Sequence, residues 1–246
     1  MTSARRPGSD LHPATQGFGR AADAYERGRT DYPAAAVEFI VDRLGLRAGR
    51  IVLDLAAGTG KLTRLLVPSG AEVIAVEPIA EMRAKIENAR VLEGTAEAIP
   101  LADASVDAVT VAQAFHWFRP DDALREIHRV LRPGGGLALI WNVRDESDPI
   151  HAAATEIMRP LEENVPRRGK LSWRDVIDAT ETATFEHAQL VDEDSFVERF
   201  ASVSFVAAAP REARTDVEEQ LRSLARSVGA PIRLPYVTEV YVAYKD

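Results

Sequence analysis

The sequence lacks cysteine altogether among its 246 residues. This absence excludes disulfide bonds, thiolate metal ligands and cysteine nucleophiles. The five histidines show no pairing at metal-ligand spacing, so the sequence predicts no metal site. The serines do not stand in the G-x-S-x-G pattern of a nucleophile elbow, which disfavours hydrolase chemistry of that type.

Positive charge is also scarce. The chain carries 30 Lys and Arg against 38 Asp and Glu, a formal net charge of −8, and its basic clusters are short. Nucleic-acid binders usually present a basic face or stripe, so we expect no nucleic acid and no anionic membrane as partner. An acidic chain can still hold a local basic pocket, which keeps anionic small substrates among the candidates.

Long apolar runs are missing as well. No stretch approaches the roughly 20 apolar residues that a membrane-spanning helix needs. The N-terminal segment has two arginines but no apolar core after them, unlike a secretory signal. Residues 1–16 are polar and predict a mobile arm, and the cytoplasm is the expected location.

Short apolar runs alternate with helical stretches in the middle of the chain. The predicted strands are 51–55, 72–76, 90–92, 106–112 and 137–141, and the predicted helices are 61–67, 79–88 and 120–131. This alternation predicts a parallel sheet with helices on both faces. The apolar strands fit burial on both sides.

The last third of the chain has a different pattern. Helix-like pieces cover 171–186 and 195–210, a helix is predicted at 215–228, and 236–244 alternates as a final strand that would close the sheet edge. We expect a single domain over 17–246, with its core at 37–147. A helical lid would comprise about 148–184 and 193–210, followed by a C-terminal helix and strand at 211–246.

The strongest local signal is a small-residue loop after the first strand, VLDLAAGTGKL at residues 52–62. Small residues let a ligand approach the backbone closely, and the start of the next helix offers unpaired N–H groups. Ligands of open parallel sheets bind at the carboxyl ends of the strands, where the strand order reverses. Asp54 and the loop are expected to lie at that point.

Three kinds of nucleotide ligand could use this loop. A phosphate-binding loop needs G-x-x-x-x-G-K-[ST], but Gly60-Lys61-Leu62 breaks that pattern and Leu55 stands where its first glycine belongs. A dinucleotide fingerprint needs a third glycine, where this chain has Thr63. The remaining interpretation is a ligand without pyrophosphate but with a cationic amino-acid tail. Asp54 would face that tail, or it could cap the following helix.

Glu77 follows the second strand, 23 residues after Asp54. An acid at this strand tip can accept hydrogen bonds from both hydroxyls of a ribose. Nicotinamide and adenosylmethionine binders share this feature, so Glu77 predicts a ribose without separating the two.

Three further motifs follow the loop in order: LEGTAEAIPL at 92–101, ASVDAV at 104–109 and LRPGGG at 131–136. Together with the loop they resemble class I S-adenosylmethionine-dependent methyltransferases over about residues 50–143. The segments QAFHWF at 113–118 and FGRAADAYERGR at 18–29 resemble the type 11 branch, which includes trans-aconitate methyltransferase-like small-molecule enzymes.

The resemblance implies a doubly wound, mostly parallel seven-stranded sheet with an antiparallel last strand and a helical lid. It implies S-adenosylmethionine as cofactor, S-adenosylhomocysteine as product, a small-molecule acceptor, no metal, and a monomer or homodimer. The cofactor residues carried over are Asp54, Ala56, Gly58, Gly60, Glu77, Pro78, Thr95, Ala96, Glu97 and Gln113, with Tyr25 and Arg29 from the N-terminal segment.

Two positions depart from the family pattern. Ala56 stands where the family often has glycine, and alanine has less freedom at positive φ. Thr95 stands where many relatives carry an aspartate that contacts the adenine amino group. Recognition of the base is then left to the Ala96 N–H and Glu97.

Methyl transfer from a sulfonium is an in-line displacement, so an enzyme contributes mainly alignment, worth about 7–11 kcal/mol. His116 follows the fourth strand and could act as a general base or orient the acceptor, or simply pack beside Trp117. We expect His116, Trp117, Trp141 and Asn142 to line the acceptor pocket.

Two other functions compete with methyl transfer. The missing third glycine and the later motifs disfavour a nicotinamide-dependent oxidoreductase. A non-catalytic binder of adenosylmethionine or adenosylhomocysteine, acting as a regulator, stays open because the catalytic step needs no unique residue. The identity of the acceptor is not readable from the sequence, since fold and cofactor do not fix it.

Overall fold

The structure, a computed structural model, describes residues 30–162 and 179–246. The N-terminal arm, Tyr25 and Arg29 lie outside these residues, as does the part of the predicted lid at 163–178. Among the described helices, none is long and apolar enough to cross a membrane.

Seven strands form one sheet with the order β3-β2-β1-β4-β5-β7-β6. The strands are β1 Ile51–Leu55, β2 Glu72–Val76, β3 Arg90–Leu92, β4 Val106–Ala112, β5 Leu131–Arg144, β6 Glu181–Val191 and β7 Ile232–Tyr244. The first five run parallel, and β7 is antiparallel to both β5 and β6. The predicted fold class is confirmed, and the strand order reverses between β1 and β4, beside the loop that follows β1.

The helices are α1 Ala34–Arg43, α2 Lys61–Leu66, α3 Ala80–Arg83, α4 Pro120–Val130, α5 Pro149–Glu162, α6 Glu193–Ala201, α7 Ser204–Ala207 and α8 Arg211–Val228. Helices α1 and α2 pack on one face of the sheet, and α4 packs on the other. A hydrophobic core lies on each face of the sheet, and the side chains of each strand alternate between the two. Val52 belongs to the core under α1 and α2, whereas Leu53 and Leu55 belong to the core under α4.

A third core lies beyond the carboxyl end of β5. Helices α5, α6 and α8 bury an apolar cluster against the end of β6 and the start of β7, with Phe196, Phe200 and Tyr236 among its fully buried side chains. The described part of the predicted lid therefore has a hydrophobic core of its own.

Two expectations about the elements need correction. The final strand does not close the sheet edge, because β7 lies between β5 and β6 and leaves β6 at the edge. Residues 181–184, expected in the helical lid, belong to β6. An edge strand is half-exposed, and its alternating polar residues do not form the apolar run that marks a buried strand.

Two other bounds differ from the prediction. Strand β5 is longer than 137–141, because its pairing with β7 extends from Gly136 to Arg144. Helix α3 ends at Arg83 rather than at 88, because the chain must turn back, with Asn88 at φ 58°, to enter β3 at Arg90.

Candidate functional site

An open crevice with a cavity volume of about 50 Å³ lies at the carboxyl ends of β1 and β4. The crevice is lined by the loop after β1, residues 30 and 32, and the ends of β4 and β5, and α6 contributes one residue. Four residues expected at the site line it: Ala56, Gly58, Gln113 and Asn142.

The loop after β1 has three residues in the left-handed region: Ala56 at φ 56°, Gly58 at 58° and Gly60 at 82°. A Cβ atom added to Gly58 would meet no atom within 4 Å, so the crevice is open directly above this backbone. A Cβ atom at Gly60 would lie 3.3 Å from Ile86 Cγ2. Gly58 therefore leaves room for a ligand, whereas Gly60 permits close packing against the segment after α3.

Asp54 lies beneath the loop and is fully buried. Its carboxylate accepts hydrogen bonds from Thr63 Oγ1 over 2.6 Å and from Thr110 Oγ1 over 3.2 Å. Burial raises the pKa of Asp54 to about 6, against the lowering effect of these hydroxyls and of the Thr63 N–H. Asp54 thus holds the first turn of α2, the capping role considered above, and its expected contact with a ligand tail stays a prediction.

Glu77 directly follows β2 and is only 4% exposed. Its Oε2 accepts from the Gly58 N–H over 2.9 Å, and its Oε1 accepts from the Ile79 N–H over 2.9 Å. Burial raises the pKa of Glu77, while the two N–H groups and the nearby Arg83 lower it. Each carboxylate oxygen has a second lone pair, so Glu77 can hold the loop and accept further hydrogen bonds.

The expected base-recognition segment runs beside this acid. Ala96 is buried, and Thr95 pairs with Ala98 in a short bridge. Glu97 Oε1 accepts from the Arg119 N–H over 2.9 Å, which ties the segment to the start of α4. Trp117 packs against Met82, and so does Ile79, which follows Pro78 in the chain. The structure thus places Trp117 with the residues that follow β2.

The opposite end of the crevice is built around Asn142. Its Nδ2 donates to the carbonyls of Thr30 and Asp31, both over 3.3 Å. Its Oδ1 accepts from Thr238 Oγ1 over 2.6 Å. Gln113, held at φ 57°, donates from Nε2 to the Asn142 carbonyl over 3.3 Å. Bonds with β7 and with the segment before α1 therefore fix the side-chain amide of Asn142 in one orientation, while Gln113 holds its backbone carbonyl.

Two side chains expected at the acceptor pocket, a tryptophan and a histidine, do not line the crevice. Trp141 is buried in the core, with its ring 6.3 Å from that of Tyr241. Side chains alternate along a strand, so its neighbour Asn142 faces the crevice instead. Trp141 thus packs in the core, and its expected contact with an acceptor stays a prediction. His116 is exposed on the turn after β4, with its ring 4.6 Å from that of Trp117.

Sequence reasoning missed Arg199, which lines the crevice from α6. It is 4% exposed, and its Nε donates to Tyr236 Oη over 2.8 Å. The sequence holds one signal for it. Arg199 lies on the same helix face as Phe196 and Phe200, where an arginine interrupts an apolar stripe.

Over residues 30–162 and 179–246, no three His, Asp or Glu side chains converge in a way that could hold a metal ion. The polar groups that line the crevice are instead amides, hydroxyls, backbone N–H groups, an ammonium and a guanidinium. Such a set suits an organic ligand with hydroxyl and carboxylate groups.

Comparison with known proteins gives consistent matches. Residues 53–139 match the family model described as a methyltransferase domain. An uncharacterized methyltransferase of Mycobacterium bovis is 41% identical over 232 residues, which cover 90% of this chain and 92% of that protein.

Solved structures show the same fold. One from Anaeromyxobacter dehalogenans, assigned as a type II methyltransferase, is 23% identical with a TM-score of 0.68, over 88% of this chain and 97% of that one. Haemonchus contortus phosphoethanolamine N-methyltransferase 2, solved with S-adenosyl-L-methionine, is 15% identical with a TM-score of 0.53, over 96% of this chain and 60% of that one. At these identities the likeness concerns the fold alone.

Proposed function

Because the chain belongs to the class I S-adenosylmethionine-dependent methyltransferases, we propose that its crevice binds S-adenosylmethionine and positions a small-molecule acceptor for methylation at oxygen, nitrogen or carboxylate. The observation that carries this proposal is the pairing of an open backbone at Gly58 with the buried acid Glu77. A nucleoside can lie against the first while its ribose bonds to the second.

The residues present fit this cofactor. The loop does not match a diphosphate-binding site. Thr63 stands where a dinucleotide fingerprint has its third glycine, and Leu62 stands where a phosphate-binding loop has serine or threonine. Glu77 would accept from the ribose, and residues 95–97 with Pro78 would border the base. Gln113 and the loop N–H groups would hold the amino-acid end, with Tyr25 and Arg29 as further candidates.

The cofactor supplies an electrophilic methyl group on a good, neutral leaving group. The protein's part is then to hold the acceptor atom in line and to exclude water, which can account for about 7–11 kcal/mol of the barrier. Asn142 suits this part, because its amide is held by Thr30, Asp31 and Thr238 at the edge of the crevice. His116 remains a candidate base for acceptors that must lose a proton.

Calorimetric titration with S-adenosylmethionine, S-adenosylhomocysteine and NAD tests the proposal. We expect the first two to bind with micromolar affinity and NAD to bind at least a hundredfold more weakly. Tighter binding of NAD would refute the proposal. Transfer of a labelled methyl group to members of an acceptor panel then separates an enzyme from a non-catalytic binder, since a binder releases no labelled product.

A further inference from the structure

A buried arginine without a carboxylate partner lies beside the crevice. Arg199 is 4% exposed, and its Nε bonds to Tyr236 Oη, but its Nη1 has no hydrogen-bond partner among the described residues. A buried charge costs several kcal/mol unless it is paired, so an unpaired guanidinium on an apolar helix face needs an explanation.

A second guanidinium lies on the same aromatic ring. Arg144, at the end of β5, has its Cζ atom 5.8 Å from the centre of the Phe200 ring, and the Arg199 Cζ atom is also 5.8 Å from that centre. Arg144 Nη1 is buried with no partner in the described part of the chain. Its Nη2 pairs over 3.0 Å with Glu146, whose side chain is 49% exposed. Burial lowers the pKa of Arg144, and the charge of Arg199 lowers it further.

A third polar group completes the cluster. His151 is fully buried on α5, with its ring 5.2 Å from that of Tyr236 and 6.1 Å from that of Phe200. Its Nδ1 lies 3.1 Å from the Asp145 carbonyl and donates to it, and its Nε2 has no partner among the described residues. We call Arg144, His151 and Arg199, around Phe200 and Tyr236, the basic pocket.

The basic pocket meets the crevice at Arg199, which lines the same cavity as Gly58 and Asn142, whereas Arg144 and His151 are not among the lining residues. We propose that the basic pocket binds a carboxylate of the methyl acceptor, so that the enzyme acts on a small organic acid. This inference rests on the proposed function, which places the cofactor at the other end of the crevice. Each guanidinium keeps a buried Nη1 donor that no described residue uses, and a carboxylate oxygen is an acceptor that such a donor binds strongly.

The experiment uses malonate as the probe and the protein saturated with S-adenosylhomocysteine. Calorimetry at constant ionic strength should show millimolar binding of malonate and none of its dimethyl ester. In Arg199→Met, malonate affinity should fall at least tenfold while the affinity for S-adenosylhomocysteine stays within threefold. Arg125→Met, which removes an exposed arginine of α4, is the matched control and should leave malonate binding unchanged.

Thermal unfolding of the same variants supplies a second measurement. Replacing a buried unpaired charge by an apolar side chain of similar shape is often stabilising, so we expect Arg199→Met to raise Tm. A fall in Tm larger than that of Tyr236→Phe, which removes the same hydrogen bond, would show that Arg199 has a carboxylate partner within the chain and would overturn the proposal. If Arg199→Met does not fold, Arg144→Met undergoes the malonate titration with the same expected loss of affinity.

Three results of the titrations contradict the inference: equal malonate affinity in the wild type and Arg199→Met, no malonate binding at all, or tighter binding of inorganic phosphate than of malonate. The last would assign the pocket to a phosphate. Failure of the proposed function is recognised separately, because the wild type would then not bind S-adenosylhomocysteine. Malonate is also titrated without S-adenosylhomocysteine, so that malonate binding can be measured even in that case.

Discussion

The backbone N–H of Gly58 donates a hydrogen bond to the carboxylate of Glu77 over 2.9 Å. This bond joins the loop after β1 to the residue after β2 and sets the spacing of the two groups proposed to hold the cofactor. Because Glu77 Oε1 is also held by the Ile79 N–H, the carboxylate is fixed at both oxygens. The acid is therefore preorganised, and binding a ribose there requires no rearrangement of its side chain.

Glu77→Gln should weaken the binding of S-adenosylhomocysteine by roughly tenfold to a hundredfold. The amide replaces one acceptor oxygen with a donor, and hydrogen bonds to a charged group contribute about 1.5–3 kcal/mol each. Calorimetric titration measures the change. Glu93→Gln, at an exposed carboxylate that pairs with Arg83, is the matched control and should bind as the wild type does. Equal affinity in the two variants would rule out a ribose contact at Glu77.

Ala56→Gly should raise the free energy of unfolding by about 1 kcal/mol. Ala56 has φ 56°, a conformation that costs an L-residue about 1–2 kcal/mol and glycine almost nothing. Part of this gain is lost because glycine has more freedom in the unfolded chain. Urea denaturation measures the difference, with Ala57→Gly, at negative φ, as the control that should lower stability. The same sign in both variants would show that backbone strain is not the cause.

The first four strands could be predicted from the sequence. Of these, β1, β2 and β4 are buried over most of their length and form nearly continuous apolar runs, whereas β3 is short and only partly buried. Their observed bounds are those expected, Ile51–Leu55, Glu72–Val76, Arg90–Leu92 and Val106–Ala112. The edge strand β6 could not be recognised, because one of its faces is solvated and its residues alternate between polar and apolar. The loop after β1 could be placed because Gly58 and Gly60 are separated by a single residue and directly follow a predicted strand.

The acceptor end of the site was less accessible to sequence reasoning. Trp141 and Asn142 are neighbours on a strand, so their side chains point to opposite faces. A shift of one residue in the predicted strand therefore decides which of the two side chains faces the core and which faces the crevice. Arg144, His151 and Arg199 lie on three different elements, and only tertiary packing brings them to Phe200. A sequence pattern does not show which face of the sheet a residue at a strand end occupies, nor which distant elements come into contact.

Asp54 should make stability depend on pH between about 4 and 6. Its pKa is about 6 in the folded chain against an ordinary value of 3.8. A raised carboxyl pKa stabilises the folded state fully below the ordinary pKa, and this contribution is lost as the pH rises through 6. The stability of Asp54→Asn relative to the wild type should therefore rise by about 2 kcal/mol between pH 4 and pH 7. Urea denaturation at both pH values checks this, and a constant difference would mean that Asp54 titrates normally.

Asp107 links the opposite, amino-terminal ends of the central strands. Its carboxylate accepts from Arg50 Nη1, Arg132 Nη1 and the Ile51 N–H, each over 2.8 Å. Burial alone would raise the pKa of Asp107, but these three donors outweigh burial and hold it below its usual range. The interactions join the chain before β1 to the start of β5 through a single side chain of β4.

Asp107→Asn should lower the free energy of unfolding by about 2 kcal/mol at pH 7, since the amide cannot accept from all three donors and carries no charge. A lowered pKa means that this stabilisation is present above the ordinary pKa of 3.8 and is lost as the pH falls below it. The difference between variant and wild type should thus stay constant from pH 7 to about pH 4 and shrink in more acidic solution. Asp103→Asn, which removes an exposed carboxylate that pairs with Arg129, should cost less than about 0.5 kcal/mol at pH 7. If urea denaturation gave the two variants the same stability, the buried network around Asp107 would not be what holds these strand ends together.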